Sequence, residues 1–297
     1  TSVGRNSMLQ NTTGAGNVAV GAYALDANTT AHDNVCIGSS ALTTNTTGPG
    51  NVAVGRLALY ANTTGSNNTA VGIRALDANT TGGGNVALGH DALGVCTTGS
   101  SNSACGYNTM DAHTTGDNNS AWGSHALGAS TTGGNNSAIG FAAGASVTTG
   151  SNNLFLGNGS GYSFVGVTTE SNHIVVGNGS VTNAYIQVNW TIQSDERDKM
   201  NFASVPHGLA FVKNINPVKF DFKKGRDIEV AHGKTKYGFK AQEILALEGD
   251  NPVIIDNSDT NSLKITDSFL LPVLVNAIKE LSAKNDALEA RITALEA

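Results

Sequence analysis

The sequence predicts a mainly β protein: a parallel β-solenoid, or β-roll, of 17-residue repeats, followed by a small α+β domain that ends in a coiled-coil helix. Three observations predict this fold. An asparagine recurs every 17 residues, a glycine follows each asparagine four positions later, and the composition changes abruptly near residue 190. A fixed period of this kind indicates a repeat architecture. We predict the solenoid over 1–160, a looser last repeat and connector over 161–190, and the second domain over 191–297, with the coiled coil at 268–297.

The repeat unit reads T-T-G-x-x-N-x-A-x-G-x-x-A-L-x-x-x, and its asparagine and glycine occur nine times without a slip. A tenth, looser copy follows after three extra residues and ends at Gly177. Seventeen residues suit one coil of two short strands and two turns, whereas helical repeats need about 33 residues or more. The repeated asparagines are Asn17, Asn34, Asn51, Asn68, Asn85, Asn102, Asn119, Asn136 and Asn153.

Each position of the repeat has an expected role. The middle residue of N-x-A-x-G points to one face of the strand, and it is alanine in seven of the nine strict copies, which predicts a narrow interior. The glycine is expected to make the turn that leaves the strand. The asparagine either stacks into a ladder of side-chain amides or makes a turn. Triplets that match the N-glycosylation acceptor are interpreted as turn residues; they begin at Asn11, Asn28, Asn45, Asn62 and Asn79.

Composition divides the chain and excludes several classes of function. Residues 1–190 contain no lysine and three arginines, whereas 14 lysines and arginines lie in 191–297. The net charge of −6 and the lack of basic clusters argue against nucleic-acid binding. No apolar run is long enough to insert into a membrane. Cys36 and Cys105 occupy strand positions and are expected to pack as small hydrophobic residues. We predict no cofactor and no metal site.

The end of the chain carries a heptad pattern. Apolar residues and one asparagine alternate at the a and d positions, which favours a coiled coil over a single amphipathic helix. Ile at a with Leu at d, together with one asparagine, favours a dimer according to the usual preferences of parallel coiled coils. Lys284 with Glu289, and Arg291 with Glu296, are spaced for pairing between parallel chains. The a positions are Leu271, Ile278, Asn285 and Ile292, and the d positions are Leu274, Leu281, Leu288 and Leu295.

Four sequence blocks occur in order in the second domain: S-D-E-R-D-K from Ser194, N-P-V-K-F-D-F from Asn216, G-F-K-A-Q-E from Gly238, and L-P-V-L-V-N-A-I-K-E-L from Leu271. Together they resemble the C-terminal intramolecular chaperone domain of phage tailspikes, tail fibres and endosialidases. The resemblance implies a homotrimer that the chaperone assembles and that many members then release by self-cleavage at S-D-E-R. It assigns the nucleophile to Ser194 and its partner to Lys199, with Asp195, Glu196 and Arg197 in support.

The chemistry of this dyad needs an activated pair. A serine hydroxyl is inert until a base accepts its proton, and a lysine is such a base only when it is uncharged. Asp198 departs from the family pattern, which is usually apolar at this position, and a carboxylate there favours the charged form of Lys199. The expected activity is therefore at most a single-turnover, self-cleaving serine endopeptidase, with no turnover on external substrates.

The position of the cut raises a geometric point. Attack by Ser194 on its own carbonyl would close a four-membered ring, whereas attack on the carbonyl of Gln193 would close a five-membered ring and cut before the serine. The family resemblance places the cut between Ser194 and Asp195. Such a cut requires a nucleophile from a neighbouring chain or an activated water molecule.

The repeats also resemble the head repeats of trimeric autotransporter adhesins and phage fibres built on the same β-roll. Together the two resemblances imply a phage tail fibre or receptor-binding protein in the virion tail, assembled in the host cytoplasm. The implied partners are two further copies of the chain, a host receptor that is a glycan or a protein, and other tail proteins at the N terminus. Candidate receptor contacts interrupt the repeat: Arg56, Tyr60, Arg74, Trp122, His125 and Tyr162.

Three alternatives remain at this stage. A tailspike enzyme would cut polysaccharide with paired carboxylates, but the equivalent residues Asp26 and Asp77 lie three coils apart, roughly 14 Å, and Asp111 lies two coils further. Active sites between chains would avoid this difficulty. A fragment of a bacterial trimeric adhesin is the second alternative. An ice-binding solenoid is the third, suggested by the repeated Thr-Thr pairs, but it leaves the second domain without a role.

Overall fold

The computed structural model describes residues 1–162, 168–181, 194–225, 228–258 and 263–296. The chain divides into two compact units, Thr1–Val181 and Thr182–Ala297, and each is described by itself. The boundary predicted near residue 190, and residues 163–167 and 182–190 of the predicted connector, lie outside the described residues.

The first unit is the predicted parallel β-solenoid. Its eleven strands form one sheet in chain order. Paired residues lie 17 positions apart, as in Ala53 with Ala70, and the offset rises to 20 between Phe155 and Val175, where the extra residues enter. The strands are β1 Ser2–Val3, β2 Val18–Val20, β3 Val35–Ile37, β4 Val52–Val54, β5 Thr69–Val71, β6 Val86–Leu88, β7 Ser103–Cys105, β8 Ser120–Trp122, β9 Ser137–Ile139, β10 Leu154–Leu156 and β11 Ile174–Val176.

The coils differ from expectation in one respect. In the described part of the rod each coil holds one short strand, not two. The opposite side of the coil is turn, closed by backbone hydrogen bonds between coils such as the one from Thr63 N to Thr80 O, 2.9 Å. Two or three non-glycine residues in most coils adopt left-handed backbone conformations, for example Arg74 at φ 55° and Leu76 at φ 54°. Burial of the leucine offsets the steric cost of that conformation.

The interior is narrow, as the alanine pattern predicts. The middle residue of each strand from β2 to β10 is essentially inaccessible to solvent, and the leucine of each A-L pair packs beside it. The glycine after each strand makes the expected turn. Gly72 has a φ of +142°, and a β-carbon there would lie 2.4 Å from the carbonyl oxygen of Gly89 in the next coil. Both the conformation and the close approach require glycine.

The repeated asparagine forms a ladder, which resolves the two interpretations left open by the sequence. Asn68 is buried, and its Oδ1 accepts from the backbone N (2.9 Å) and Nδ2 (3.1 Å) of Asn85. Its Nδ2 donates to Asn51 Oδ1 (3.2 Å) and to the carbonyl oxygen of Gly82 (2.9 Å). The side chain therefore pairs two buried backbone groups of the next coil, Asn85 N and Gly82 O, and bonds the asparagine side chain of the preceding coil.

The Asn-Thr-Thr triplets build a second ladder. Asn79 Nδ2 donates to Asn62 Oδ1 at 2.7 Å and to Gly82 O at 3.0 Å. Except for Asn11, which is half-buried, these asparagines are inaccessible to solvent, so they are internal residues and not glycosylation sites. The ladder ends in the later coils, where the equivalent positions are Cys96, His113, Ser130 and Val147.

Loss of one rung of the first ladder is expected to destabilise the rod. Asn68→Ala leaves the buried backbone N–H of Asn85 and the carbonyl of Gly82 without these partners, at a cost of about 2–5 kcal/mol. Urea unfolding followed by circular dichroism measures the loss. Thr64→Ala, at an exposed position of the same coil, is the control and should change stability by less than about 0.5 kcal/mol. Equal stability of the two variants would contradict the role given to the ladder.

His113 is expected to make the rod sensitive to acid. Its Nε2 lies 2.8 Å from Gly116 O and its Nδ1 3.4 Å from Ser130 Oγ. Burial lowers the pKa of this imidazole below 6.5. As the pH falls through about 6.5, the unfolded chain takes up a proton that the buried ring resists, so stability is lost. Thermal melts at pH 8 and pH 5 should differ more for the parent than for His113→Asn. The same difference in both proteins would refute this.

The second unit is a small α+β fold. Its elements are α1 Leu209–Asn214, β12 Val218–Gly225, β13 Ile228–Gly238, α2 Ala241–Glu248, β14 Ile255–Asp256, β15 Lys264–Ile265 and α3 Leu270–Glu296. The strands β12 and β13 form an antiparallel hairpin, as do β14 and β15. The core contains Phe211, Ile244, Ile254, Ile255, Leu270 and Val273.

Candidate self-processing site

The structure brings together the two residues that the motif assigns to self-cleavage. Lys199 Nζ lies 2.5 Å from Ser194 Oγ. A one-turn 3₁₀ helix, Glu196–Asp198, spans the five-residue separation, and Lys199 N donates to Glu196 O at 3.1 Å to close it. This turn folds the chain back so that the amine reaches the hydroxyl. A nucleophile and a base must be within such hydrogen-bond reach.

Asp195 and Arg197 stabilise this turn. Among the residues that the structure describes, neither of them is hydrogen-bonded to the hydroxyl of Ser194. Asp195 is the N-cap, and its Oδ1 accepts from Arg197 N at 2.9 Å. The guanidinium of Arg197 donates to both carboxylate oxygens, at 3.0 Å and 2.5 Å. Hydrogen bonds from Arg197 hold the pKa of the Asp195 carboxyl below its usual range. The ion pair of Asp195 with Arg197 therefore persists at neutral pH and keeps the turn closed.

The amine also contacts the bond that would be cut. Lys199 Nζ lies 3.3 Å from the carbonyl oxygen of Ser194. That oxygen would carry the negative charge if the Ser194–Asp195 bond were attacked, and a cation placed beside it stabilises such a charge. In this geometry the amine of Lys199 is within hydrogen-bond distance of two groups, the Ser194 hydroxyl and the carbonyl of the bond to be cut. Both Ser194 and Lys199 are exposed in the single chain.

Helix α3 holds the segment that follows the dyad through two contacts that were not predicted from the sequence. Asn276 Nδ2 donates to His207 O at 2.9 Å. Glu280 accepts from the backbone N of Leu209 at 2.8 Å, at the start of α1, where a carboxylate is favoured. Both residues lie on the side of α3 that packs on α1. The available signal was their position off the a/d seam, next to the buried Val273 and Ala277.

The heptad face of α3 is uncovered in the single chain. Its a and d side chains are exposed, while Leu270, Val273 and Ala277 face the domain. The asparagine at a, Asn285, donates to Glu289 within the same helix at 3.0 Å. The exposed seam consists of Leu271, Leu274, Ile278, Leu281, Leu288, Ile292 and Leu295, with Asn285 between them.

A second uncovered apolar surface runs along the rod. The third residue of each strand from β2 to β11 points away from the buried middle residue. Every one of these residues is apolar, and we call the row the strand stripe: Val20, Ile37, Val54, Val71, Leu88, Cys105, Trp122, Ile139, Leu156 and Val176. Seven of the ten are exposed, the others half-buried. Of the candidate receptor contacts, Trp122 lies on this stripe, and the other candidates lie on the turn side of the coil.

The turn side carries a cleft that the spacing of the acids did not reveal. Asp77 and Asp111 occupy the same position of the repeat, two coils apart, and the coil between them has Gly94 at that position. Because Gly94 has no side chain, a cleft of about 400 Å³ opens there, and Asp91 joins its lining. Arg74 binds Asp91 with two hydrogen bonds, 2.6 Å and 2.7 Å. Asp26 is not part of this cleft.

The environments of these carboxyls differ. Partial burial raises the pKa of Asp77, whereas the guanidinium of Arg74 lowers the pKa of Asp91. In the described ranges, no group of three or more histidine, cysteine, aspartate or glutamate residues is placed to hold a metal ion. Across those ranges, too, no helix has the length and apolar character needed to cross a membrane. Cys36 and Cys96 are buried, and burial raises the pKa of their thiols to about 12 and about 11.

Comparison with known proteins identifies the second unit. No curated protein and no solved structure matches the chain. The family model described as chaperone of endosialidase matches residues 194–251. The match begins at Ser194 and includes the turn that carries the dyad, both strands of the hairpin and α2. Residues 194–251 are therefore a chaperone-of-endosialidase domain, which follows a β-solenoid in this chain.

Proposed function

We propose that the protein is a phage tail fibre or receptor-binding protein that attaches the virion to its host, and that its C-terminal domain drives trimerisation and then cuts itself off after Ser194. The chaperone-of-endosialidase domain behind a β-solenoid fits a tail fibre or tailspike. The observation that carries the proposal is this domain combined with the exposed heptad seam of α3.

A parallel homotrimer accounts for both uncovered apolar surfaces. The seam and the strand stripe are each a continuous row of exposed apolar side chains, whereas the exposed apolar residues of monomers are usually scattered singly. Three parallel chains bury the seam as a coiled coil and the stripe as a rod interior, which a slim solenoid with a narrow core needs. The association of this chaperone family with trimeric phage fibres favours three copies over the two that the Ile/Leu heptad preference suggests.

Assembly also supplies what the dyad lacks in a single chain. Ser194 and Lys199 are exposed, whereas such chemistry works best in a site from which water is excluded. A neighbouring chain could cover the turn and provide the nucleophile that a cut between Ser194 and Asp195 requires. Cleavage would then follow trimerisation, because the site is complete only in the assembled form.

The mass of the protein in solution tests the assembly. Light scattering of Ser194→Ala, which keeps the C-terminal domain attached, should give three times the chain mass of 30.3 kDa. Leu281→Asp, at a d position, should dissociate the trimer, and Ala283→Asp, one helical face away and also exposed, should not.

Fluorescently labelled protein should bind saturably to some strains in a broad bacterial panel. A monomer or dimer would refute the assembly, and binding to no strain would count against attachment.

The cleft gives a second candidate function, cleavage of host polysaccharide. Two of its carboxyls, Asp77 and Asp91, have pKa values displaced in opposite directions, which is how an acid and a base are distinguished in such enzymes. Asp77 and Asp111 lie two coils apart, roughly 10 Å along the rod, so the three-coil separation that argued against this class does not apply to them. Release of reducing ends from host polysaccharide, lost in Asp77→Asn, would establish this activity.

A further inference from the structure

Four rings form a continuous row on the turn side of the rod. His90 and Tyr107 stack with ring centroids 5.6 Å apart. Tyr107 and His125 meet edge to face at 5.6 Å, and His125 and Phe141 at 6.1 Å. Tyr107 and Phe141 are more than half exposed. We call these four residues the ring row; it spans four successive coils and presents aromatic surface to solvent.

The ring row borders the cleft. His90 Nδ1 lies 2.8 Å from Asp91 Oδ2, and Asp91 lines the cleft. Tyr107 stacks on His90 and directly precedes Asn108, a residue of the cleft lining, so Tyr107 also lies beside the cleft. Asn108 lines the cleft as well, and its Oδ1 is buried without a hydrogen-bond partner in the described part of the chain.

The ring row stands on a different face from the strand stripe. Its members follow the repeat glycine, where the chain turns out of the strand, whereas the stripe precedes that glycine. Trimer packing through the strand stripe would therefore leave the row and the cleft accessible. Three copies of the same surface would be presented around the rod, which strengthens binding to a repetitive ligand.

We propose that the ring row and the adjoining cleft bind a neutral or amino-bearing oligosaccharide, an assignment that rests on the proposed role in host attachment. Sites for small ligands combine aromatic surface with a few placed polar groups. The apolar face of a sugar ring packs against the exposed aromatic surface of Tyr107 and Phe141. Sugar hydroxyls donate to the carboxylates of the cleft.

The charges of the cleft set the class of sugar. Its lining holds three aspartates and one arginine, and that arginine is engaged by Asp91. A carboxylate-bearing sugar would meet like charge there, whereas hydroxyl or ammonium groups find acceptors. Among the residues that the structure describes, these acids are not grouped as a metal site.

Binding of the full-length protein to immobilised oligosaccharides tests the proposal. The probes are cellohexaose and maltohexaose (neutral), a glucosamine hexamer (amino) and a hyaluronan hexasaccharide (acidic). We expect binding to at least one neutral or amino probe and weaker binding to the acidic one. Tyr107→Ala and Phe141→Ala should each weaken that binding about tenfold. Tyr23→Ala removes a half-buried tyrosine of an earlier coil, outside the row, and should leave binding unchanged.

Several outcomes would overturn the proposal. These are no binding to any neutral or amino probe, preference for the acidic probe, or equal binding by the parent and Tyr107→Ala. Cell binding measured in parallel separates this proposal from the proposed function. If Tyr107→Ala and Phe141→Ala bind host cells as the parent does, or if only protease treatment of the cells abolishes binding, the receptor is a protein and attachment stands. If the parent binds no cells, attachment itself fails.

Discussion

A chain that ends at residue 190 is expected to be recovered as monomer or as insoluble material, whereas the full chain is expected to form a soluble trimer. The reason lies in the repeat. Each strand pairs with an almost identical strand 17 residues away, so a shift of one coil between neighbouring chains creates contacts nearly as good as the correct ones. Register is weakly specified in such a case. Slow assembly then leaves the apolar strand stripe and the sheet edges exposed, which promotes aggregation.

The second unit removes this ambiguity because its seam is not repetitive in the same way. Asn285 is the one polar residue among the a positions of the seam. A single polar residue at a fixes the register of a coiled coil. Size-exclusion chromatography with light scattering, at matched expression, measures the result. The full chain with Ser194→Ala, which keeps the domain attached, is the control and should be trimeric. A good yield of trimeric 1–190 would show that the rod needs no chaperone.

The regular parts of the rod could be predicted because they repeat a local physical demand. Glycine is required wherever the chain leaves a strand, and the asparagine ladder is required wherever buried backbone groups face each other between coils. Other features depended on neighbours in space. Nothing local indicates that Leu76 adopts a left-handed conformation, and the internal Asn79 looks like a glycosylation site until the next coil is placed on it. The cleft at Asp77 arises from a missing side chain at Gly94, one coil away.

In the second unit, too, local contacts could be predicted from the sequence, whereas contacts between distant residues could not. The motif predicted the pairing of Ser194 with Lys199, and the geometry agrees with it, because five residues and one tight turn are a local matter. The contact between Glu280 and Leu209 joins residues 71 positions apart. Such a contact is set by tertiary packing and leaves no periodic trace in the sequence. The heptad pattern fixed α3 and its exposed face, but a single chain does not contain the partner helices.

Self-cleavage between Ser194 and Asp195 is expected in the assembled protein, with loss of all detectable cleavage in Ser194→Ala and Lys199→Ala. Lys199 Nζ contacts both the Ser194 hydroxyl and the carbonyl of the bond to be cut, so either change removes a group that the reaction needs. Intact-mass spectra over days should show release of residues 195–297, a fragment of 103 residues. The reaction should be slow near neutral pH and faster at higher pH, since only an uncharged amine can accept the proton.

Two further substitutions separate the possible roles of the lysine. Lys199→Arg keeps a positive charge beside the scissile carbonyl but provides no base. It should be inactive if Lys199 acts as the base, and partly active if the lysine acts only by stabilising the charge on the carbonyl oxygen. Asp198→Leu removes the carboxylate next to Lys199 in the chain and should speed cleavage. Asp198→Asn, similar in size to aspartate and uncharged, should do the same if charge is the cause.

The dyad assignment fails if Ser194→Ala cleaves as fast as the parent, or if the parent trimer stays whole at high pH. Those two results have different meanings. Cleavage without the hydroxyl would point to a water molecule activated by Lys199, which its 3.3 Å contact with the Ser194 carbonyl allows. An uncut trimer would mean that the domain retains its role in assembly while Asp198 has cost it the protease. In that case Asp198→Leu should restore cleavage, and restoration would assign the loss to that one carboxylate.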